Sequence, residues 1–125
     1  MKHASVTVRL QSPPDDLLLM IRAGERGIEP ANIRRDATRS RAVLGILGIS
    51  VQASLPGETL ADAWHHSRVL VGRPIIWWTT AGNLRRAGYP LLATGQDERH
   101  YTVVLADLEE ALVLRLAALF VKEEQ

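Results

Sequence analysis

Glycine and proline divide this chain into short segments, and the order of those segments constrains the fold more than any other feature. Nine Gly and six Pro are spread over 125 residues. They separate runs with strand-like alternation or continuous apolar character from runs with helical spacing. Two consecutive strands are predicted near the start of the chain and two more in its second half, with helices between the other strands. Hairpins are therefore mixed with helical crossovers. This mixture predicts an α+β fold in a single domain that spans residues 1–125.

The pattern predicts about six mostly antiparallel strands and three main helices. Strands are expected at residues 5–10, 17–22, 48–53, 75–79, 90–94 and 100–105. Helices are expected at residues 30–44, 59–71 and 108–121, with a short one at 82–87. We expect the first two strands to form a hairpin and the last two to pair antiparallel.

Composition excludes several classes of protein. A hydrophobic fraction of 46% excludes disorder. The absence of Cys excludes disulfides, thiolate metal sites and cysteine nucleophiles. No apolar run follows Lys2, so we expect no signal peptide. The apolar stretch near the C-terminus is interrupted by Arg115 and is shorter than the ~20 residues that span a bilayer. These features favour a cytoplasmic protein with no membrane partner.

The helix expected at residues 30–44 carries the clearest cluster of charge. Its inward stripe consists of Ile33, Ala37, Ser40 and Leu44. The other side carries four arginines: Arg34, Arg35, Arg39 and Arg41. Such a face suits RNA, DNA or an acidic protein partner. The alternative is a solvated face whose charges pair with loop acids, and the arginine excess of the chain as a whole is what a GC-rich genome would produce.

A second polar group lies at the ends of the later strands. Its members are Thr94, His100 and Tyr101, with Arg85 and Arg86 from the short helix. A His transfers protons near neutral pH, an Arg stabilises charge on a phosphorane, and a hydroxyl orients the substrate. This set could cleave a phosphodiester without a metal or cofactor. The alternative is a collection of unrelated turn and cap residues.

Adjacent tryptophans give a further candidate surface. Trp77 and Trp78 lie on one strand and must point to opposite faces. Either both are buried, or one of them, for which we take Trp78, offers a platform on which a base or partner side chain stacks. The neighbouring His65 and His66 diverge on a helix, so they do not chelate one metal ion.

The helix expected at residues 108–121 is apolar nearly all round. A terminal helix of this kind is either packed deeply into the core or shared with a partner. The second arrangement would give a homo-oligomer through this helix.

Three runs in the second half of the chain have a recognisable pattern. They are GNLRRAGY at residues 82–89, LLAT at 91–94 and HYTVVLADL at 100–108. They resemble a family of small bacterial proteins found in two-gene cassettes of the toxin–antitoxin type, and residues 16–25 resemble it more weakly. The family motif has no catalytic assignment, so it assigns no residue. The resemblance implies a toxin directed at nucleic acid, with a cognate antitoxin as partner.

The leading hypothesis is a small toxin-like protein that acts on RNA as a metal-free ribonuclease. The alternative is a non-catalytic interaction module that binds a protein or nucleic acid through its arginine-rich helix and its C-terminal helix. A ligand-binding metabolic domain is a third possibility, but no pocket motif supports it. The first two are distinguished by whether His100, Thr94 and the pair Arg85 and Arg86 converge in one concave site.

Overall fold

A computed structural model describes residues 8–9 and 13–125, which form one antiparallel sheet with helices on both faces. The strands are β1 Val8–Arg9, β2 Leu18–Arg22, β3 Gly48–Ala53, β4 Ile75–Thr80, β5 Leu91–Thr94, β6 His100–Val104 and β7 Val121–Glu124. Their order across the sheet is β1-β5-β6-β3-β2-β4-β7. The helices are α1 Pro30–Leu44, α2 Leu60–His66, α3 Ala81–Arg86 and α4 Glu110–Ala118. The predicted α+β fold is confirmed.

Local signals set most of the helix ends. Pro30 begins α1, and Gly45, in the left-handed conformation, ends it, as the sequence predicts. Thr59 and Asp62 form a capping box at the start of α2. This helix ends at His66 rather than at residue 71, because Ser67 adopts an extended backbone and its hydroxyl donates to the buried Gln52 side chain at 2.8 Å.

The alternation of side chains along the strands gives the sheet two different faces. One face, which we call the helical face, packs against α1, α3 and α4 and holds the main core. That core includes Leu19, Ile33, Ile49, Val51, Leu84, Val103 and Leu116. The opposite face, which we call the α2 face, holds a smaller cluster of Met20, Ala63, Trp64, Leu70 and Ile76.

The prediction that the first two strands form a hairpin is wrong. β1 pairs with β5, where Val8 lies opposite Thr94, and residues 5–7 and 10 of the predicted strand lie outside the described residues. β2 lies between β3 and β4, and its Leu19 and Met20 are fully buried. Both edges of β2 are occupied by β3 and β4, which come later in the chain, so no edge of β2 is left for β1.

The prediction of a helix over residues 108–121 is wrong at both ends. α4 ends at Ala118, and β7 then pairs with β4 at the edge of the sheet. This pairing satisfies the peptide groups along the outer edge of β4, which a longer helix would leave exposed. α4 buries Val113 and Leu116, while Leu114 is 47% exposed. No helix in the described part of the chain is long and apolar enough to cross a membrane.

A largely buried ion pair ties the loop before α2 to the turn before β6. Arg99 donates to both carboxylate oxygens of Glu58, at 2.7 and 2.8 Å. The two side chains are only 11% and 12% exposed. The Glu58 carboxylate also accepts from the Leu55 N–H at 2.7 Å and lies 2.8 Å from His66 Nδ1. The Arg99 guanidinium lowers the pKa of Glu58 to about 2.

Candidate functional site

The sheet opens between β2 and β3. The two strands pair at only two positions, the last of which joins Met20 to Gln52. Continuing that register would place Arg22 opposite Ser50. Instead, β2 stays with β4 and β3 stays with β6, so the two strands diverge from this point.

The opening carries backbone groups as well as side chains. Ser54 N–H donates to Leu18 O at 3.0 Å. Alternate residues of a strand direct their peptide groups to the same side, so Ser50 directs its N–H and C=O toward β2 as well. Since β2 has moved away, these peptide groups of Ser50 face the opening rather than a neighbouring strand.

A cleft of about 1300 Å³ occupies this opening. Its walls come from the end of β2 and the loop after it, from α1, from β3 and from the loop between α2 and β4. His100 also lines it, because β6 places this residue beside Gln52 on the α2 face. The gap in the sheet therefore lets side chains from both faces line one cleft.

Basic side chains outnumber acidic ones around the cleft. The arginines are Arg22, Arg26, Arg35, Arg39 and Arg68, and the acids are Glu25, Glu29 and Asp36. Lys122 engages Glu25 at 2.8 Å, and Asp36 lies 3.9 Å from Arg35. Arg22, Arg26 and Arg39 form no ion pair with any residue that the structure describes. An excess of unneutralised guanidinium groups in a concave site attracts anions.

His100 is held by the neighbouring strand β5. Its Nδ1 lies 2.9 Å from Thr94 Oγ1 and 3.1 Å from Thr94 O, and Thr94 Oγ1 lies 2.9 Å from Thr102 Oγ1. The predicted proximity of His100 and Thr94 is confirmed. A carbonyl oxygen only accepts, so the contact with Thr94 O is a hydrogen bond in the tautomer whose Nδ1 carries the proton. In that tautomer Nε2 is the acceptor nitrogen of the ring.

Arg85 and Arg86 do not line the cleft. Their helix, α3, packs on the helical face, where Leu84 is part of the main core. Arg85 donates to the Asp15 carboxylate at 2.7 Å and to the Pro13 carbonyl. Arg86 donates to Asn83 at 2.7 Å. The structure therefore brings Thr94 to His100 but leaves this arginine pair on the other side of the sheet.

Tyr101 also lies away from His100. Consecutive residues of β6 point to opposite faces, so the Tyr101 ring packs against the main core on the helical face. The candidate catalytic set is thus divided between the two faces of the sheet.

The arginines of α1 divide into two groups. Arg35 and Arg39 line the cleft. Arg34 is partly buried and donates to Leu108 O over a long 3.5 Å contact, and Arg41 is exposed but lies outside the cleft. Two of the four arginines predicted to form a binding face therefore reach the concave site.

The two tryptophans point to opposite faces, as predicted, and both are partly buried. Trp78 packs in the cluster on the α2 face. Trp77 donates from Nε1 to Gly24 O at 2.8 Å, and a Cβ at Gly27 would lie 3.0 Å from the Trp77 ring. Trp77 therefore packs against the turn that carries Arg26 at the cleft and holds it in place.

Ser40 is a cleft residue that the sequence pattern assigns to the core. It is only 7% exposed, yet its Oγ has no hydrogen-bond partner among the described residues. The helical stripe correctly predicts that Ser40 is buried, but periodicity does not show that a cleft lies beside it. Nor did the sequence single out the other lining residues Arg22, Arg26, Arg68, Ser50 and Gln52.

Comparisons with protein-family models, curated proteins and solved structures find no match for this chain. The resemblance carried by the second half of the sequence therefore stays a prediction. Within residues 8–9 and 13–125, no group of three or more His, Asp or Glu side chains could hold a metal ion.

Proposed function

We propose that this protein acts on RNA and holds the phosphate backbone of the RNA in the arginine cleft. The observation that carries the proposal is that His100 and arginines from separate segments of the chain line one concave site. A guanidinium offers two parallel N–H donors that match the oxygens of a phosphate. Because Arg22, Arg26 and Arg39 form no ion pair within the part of the chain that the structure describes, we assign these donors to an anion.

We also propose that His100 supports metal-free cleavage of the bound strand, as in a toxin-like ribonuclease of the cytoplasm. Nε2 takes the proton of a ribose 2′-hydroxyl, and the 2′-oxygen attacks the adjacent phosphorus. The bond from phosphorus to the 5′-oxygen breaks, and that oxygen takes a proton from water. A cleft arginine stabilises the negative charge on the phosphoryl oxygens. Arg35 and Arg39 replace Arg85 and Arg86 in this role, since only the former line the cleft.

A non-catalytic interaction module is the second candidate. It is favoured by the separation of Arg85, Arg86 and Tyr101 from His100, because the predicted catalytic set does not assemble. In this case the cleft would bind RNA or an acidic protein such as a cognate antitoxin. The exposed Leu114 of α4 would be available for self-association.

An RNA degradation assay in the presence of a chelator distinguishes these proposals. A labelled unpaired RNA is incubated with wild type, His100→Ala and His65→Ala, the last being an exposed residue of α2 outside the cleft. We expect His100→Ala to slow cleavage by roughly 100- to 10,000-fold while RNA affinity and melting temperature change little. His65→Ala should behave as wild type.

Other outcomes of this assay decide against cleavage or against RNA altogether. Wild-type protein that binds RNA but does not cut it would support the interaction module. Wild-type protein that neither binds nor cuts RNA would end the proposal that RNA is the ligand.

A further inference from the structure

We infer that the cleft accepts one unpaired strand of RNA and that the Ser40 hydroxyl donates a hydrogen bond to a phosphate oxygen of that strand. The inference rests on the proposed function, because it names the form of RNA that enters the cleft and a residue that binds it. Three independent features of the site support it: the shape of the opening, the backbone groups inside it and the buried Ser40 hydroxyl, which has no hydrogen-bond partner among the described residues.

The shape of the opening favours a thin ligand. The arginines approach it from different sides: Arg22 ends β2 and Arg26 follows it, Arg35 and Arg39 lie on α1, and Arg68 lies after α2. A duplex is a wide cylinder that proteins contact across its minor groove and outer phosphates, so it would rest on the rim of such a cleft. A single strand can enter it. The volume of about 1300 Å³ exceeds the roughly 300–1,000 Å³ that is typical of small-ligand pockets, which leaves room for more than one nucleotide.

Backbone groups inside the opening favour a strand whose bases are unpaired. Ser50 directs its N–H and C=O into the gap left by β2, and the Gln52 side chain also lines it. A donor and an acceptor side by side can bond the exposed edge of an unpaired base. In a duplex these base edges are already paired, so the groups of Ser50 would find no partner on it.

Ser40 supplies a buried hydroxyl at the wall of the cleft. A serine within a helix ordinarily donates to a carbonyl one turn earlier or faces solvent, but the Ser40 Oγ does neither. A buried hydroxyl without a partner destabilises a fold and calls for an explanation. Ser40 and Arg39 both line the cleft, so a phosphate bound there by Arg39 would provide an acceptor for the Ser40 hydroxyl.

The first test compares two forms of one RNA. An oligonucleotide of about eight nucleotides, with 2′-fluoro riboses so that no 2′-hydroxyl can attack, is titrated with wild-type protein by fluorescence anisotropy. The same strand annealed to its complement is titrated in the same buffer. We expect the unpaired strand to bind at least about tenfold more tightly, a difference of about 1.4 kcal/mol.

The outcomes of this test separate the inference from the proposed function. Equal binding of both forms, with affinity still lost on Arg39→Glu, would overturn the inference and leave RNA binding in the cleft standing. Absence of binding by either form would overturn both.

The second test concerns Ser40 and uses Thr38→Ala as its matched control, since Thr38 is an exposed hydroxyl residue of the same helix outside the cleft. We expect Ser40→Ala to weaken binding of the unpaired strand by about tenfold, as expected for loss of a hydrogen bond to a charged group. Its melting temperature should stay the same or rise, because the variant removes an unsatisfied buried hydroxyl. Unchanged affinity, or a parallel loss of affinity and melting temperature, would show that Ser40 does not bind the ligand.

Discussion

Arginine serves two different purposes in this molecule, and the comparison of Arg99 with Arg39 shows how they differ. Arg99 is 9% exposed and gives bidentate hydrogen bonds to Glu58. Arg39 is exposed beside the cleft and forms no ion pair within the described residues. A guanidinium with a buried internal partner stabilises the fold, while one without a partner, in a cleft shared with others like it, is available to a ligand.

The pairing of the strands determines which purpose an arginine serves. Arg99 lies where β3 and β6 are tightly paired, and its backbone and side chain both contact Ala53, with the Arg99 carbonyl accepting from the Ala53 N–H at 2.7 Å. The cleft arginines surround the place where β2 and β3 part. Regularly paired strands therefore surround the structural arginine Arg99, whereas the arginines that we assign to binding surround the gap between β2 and β3.

The largest expected effect is on stability, and it comes from removing the charge of Arg99. Arg99→Met keeps much of the side-chain stem but removes the guanidinium that pairs with the largely buried Glu58 carboxylate, which should cost about 3 kcal/mol or more of unfolding free energy. Arg39→Met is the matched control and should stay within about 0.5 kcal/mol of wild type. Urea unfolding measures both. Similar losses in the two variants would remove the distinction between the two kinds of arginine.

A second effect on stability should appear as the pH falls. The pKa of Glu58 is lowered from 4.5 to about 2, so the folded state holds the carboxylate ionised where the unfolded chain would take up a proton. The resulting stabilisation is complete above pH 4.5 and is lost as the pH falls toward 2, with a total on the order of 3 kcal/mol. Urea midpoints measured across this range should fall much less in Arg99→Met than in wild type. A wild-type midpoint that stays level to the bottom of the range would contradict this assignment.

Charge reversal in the cleft should affect binding rather than folding. We expect Arg35→Glu combined with Arg39→Glu to weaken binding of unpaired RNA by about 30-fold, or roughly 2 kcal/mol. The slope of log affinity against log salt should also become shallower by about 0.7 for each lost phosphate contact. Arg41→Glu, on the same helix but outside the cleft, is the control for long-range charge. If Arg41→Glu weakens binding as much as the double variant, the cleft is not the binding site.

The smallest expected effect is that of Arg85→Ala. Arg85 forms an ion pair with Asp15, whose side chain is 71% exposed. Loss of this ion pair should therefore cost less than about 1 kcal/mol of unfolding free energy. RNA affinity and cleavage should not change, because Arg85 lies outside the cleft. A loss of cleavage comparable to that of His100→Ala would instead restore the role that the sequence pattern suggests for this residue.

Features that depend on neighbours in the chain were predictable from the sequence. The bounds of α1 follow from Pro30 and Gly45, and the start of α2 follows from its capping box. The antiparallel pairing of β5 and β6, which places Thr94 beside His100, follows from the short turn between them. In each case the interacting groups are only a few residues apart, so the local pattern contains the whole interaction.

Features that depend on distant partners were not predictable in the same way. β1 pairs with β5, and β7 covers the edge of β4, because these edges remain after the central strands have paired. An apolar stretch at the end of a chain is compatible with both a helix and a strand, and only the available sheet edge decides between them. The errors at the N-terminal hairpin and at the end of α4 have this common origin.

The amino-acid sequence by itself determined the α+β class, the basic side of α1 and the contact between Thr94 and His100. It presented the arginines of α1 and His100 as two separate candidate sites. Only the tertiary structure decided that Arg35, Arg39 and His100 line one cleft and that Arg85 and Arg86 lie elsewhere. The physical reason is that the cleft exists because β2 stays paired with β4 while β3 stays paired with β6. The residues that form these pairs are more than 40 positions apart in the chain, such as Met20 with Trp78 and Ser50 with Thr102.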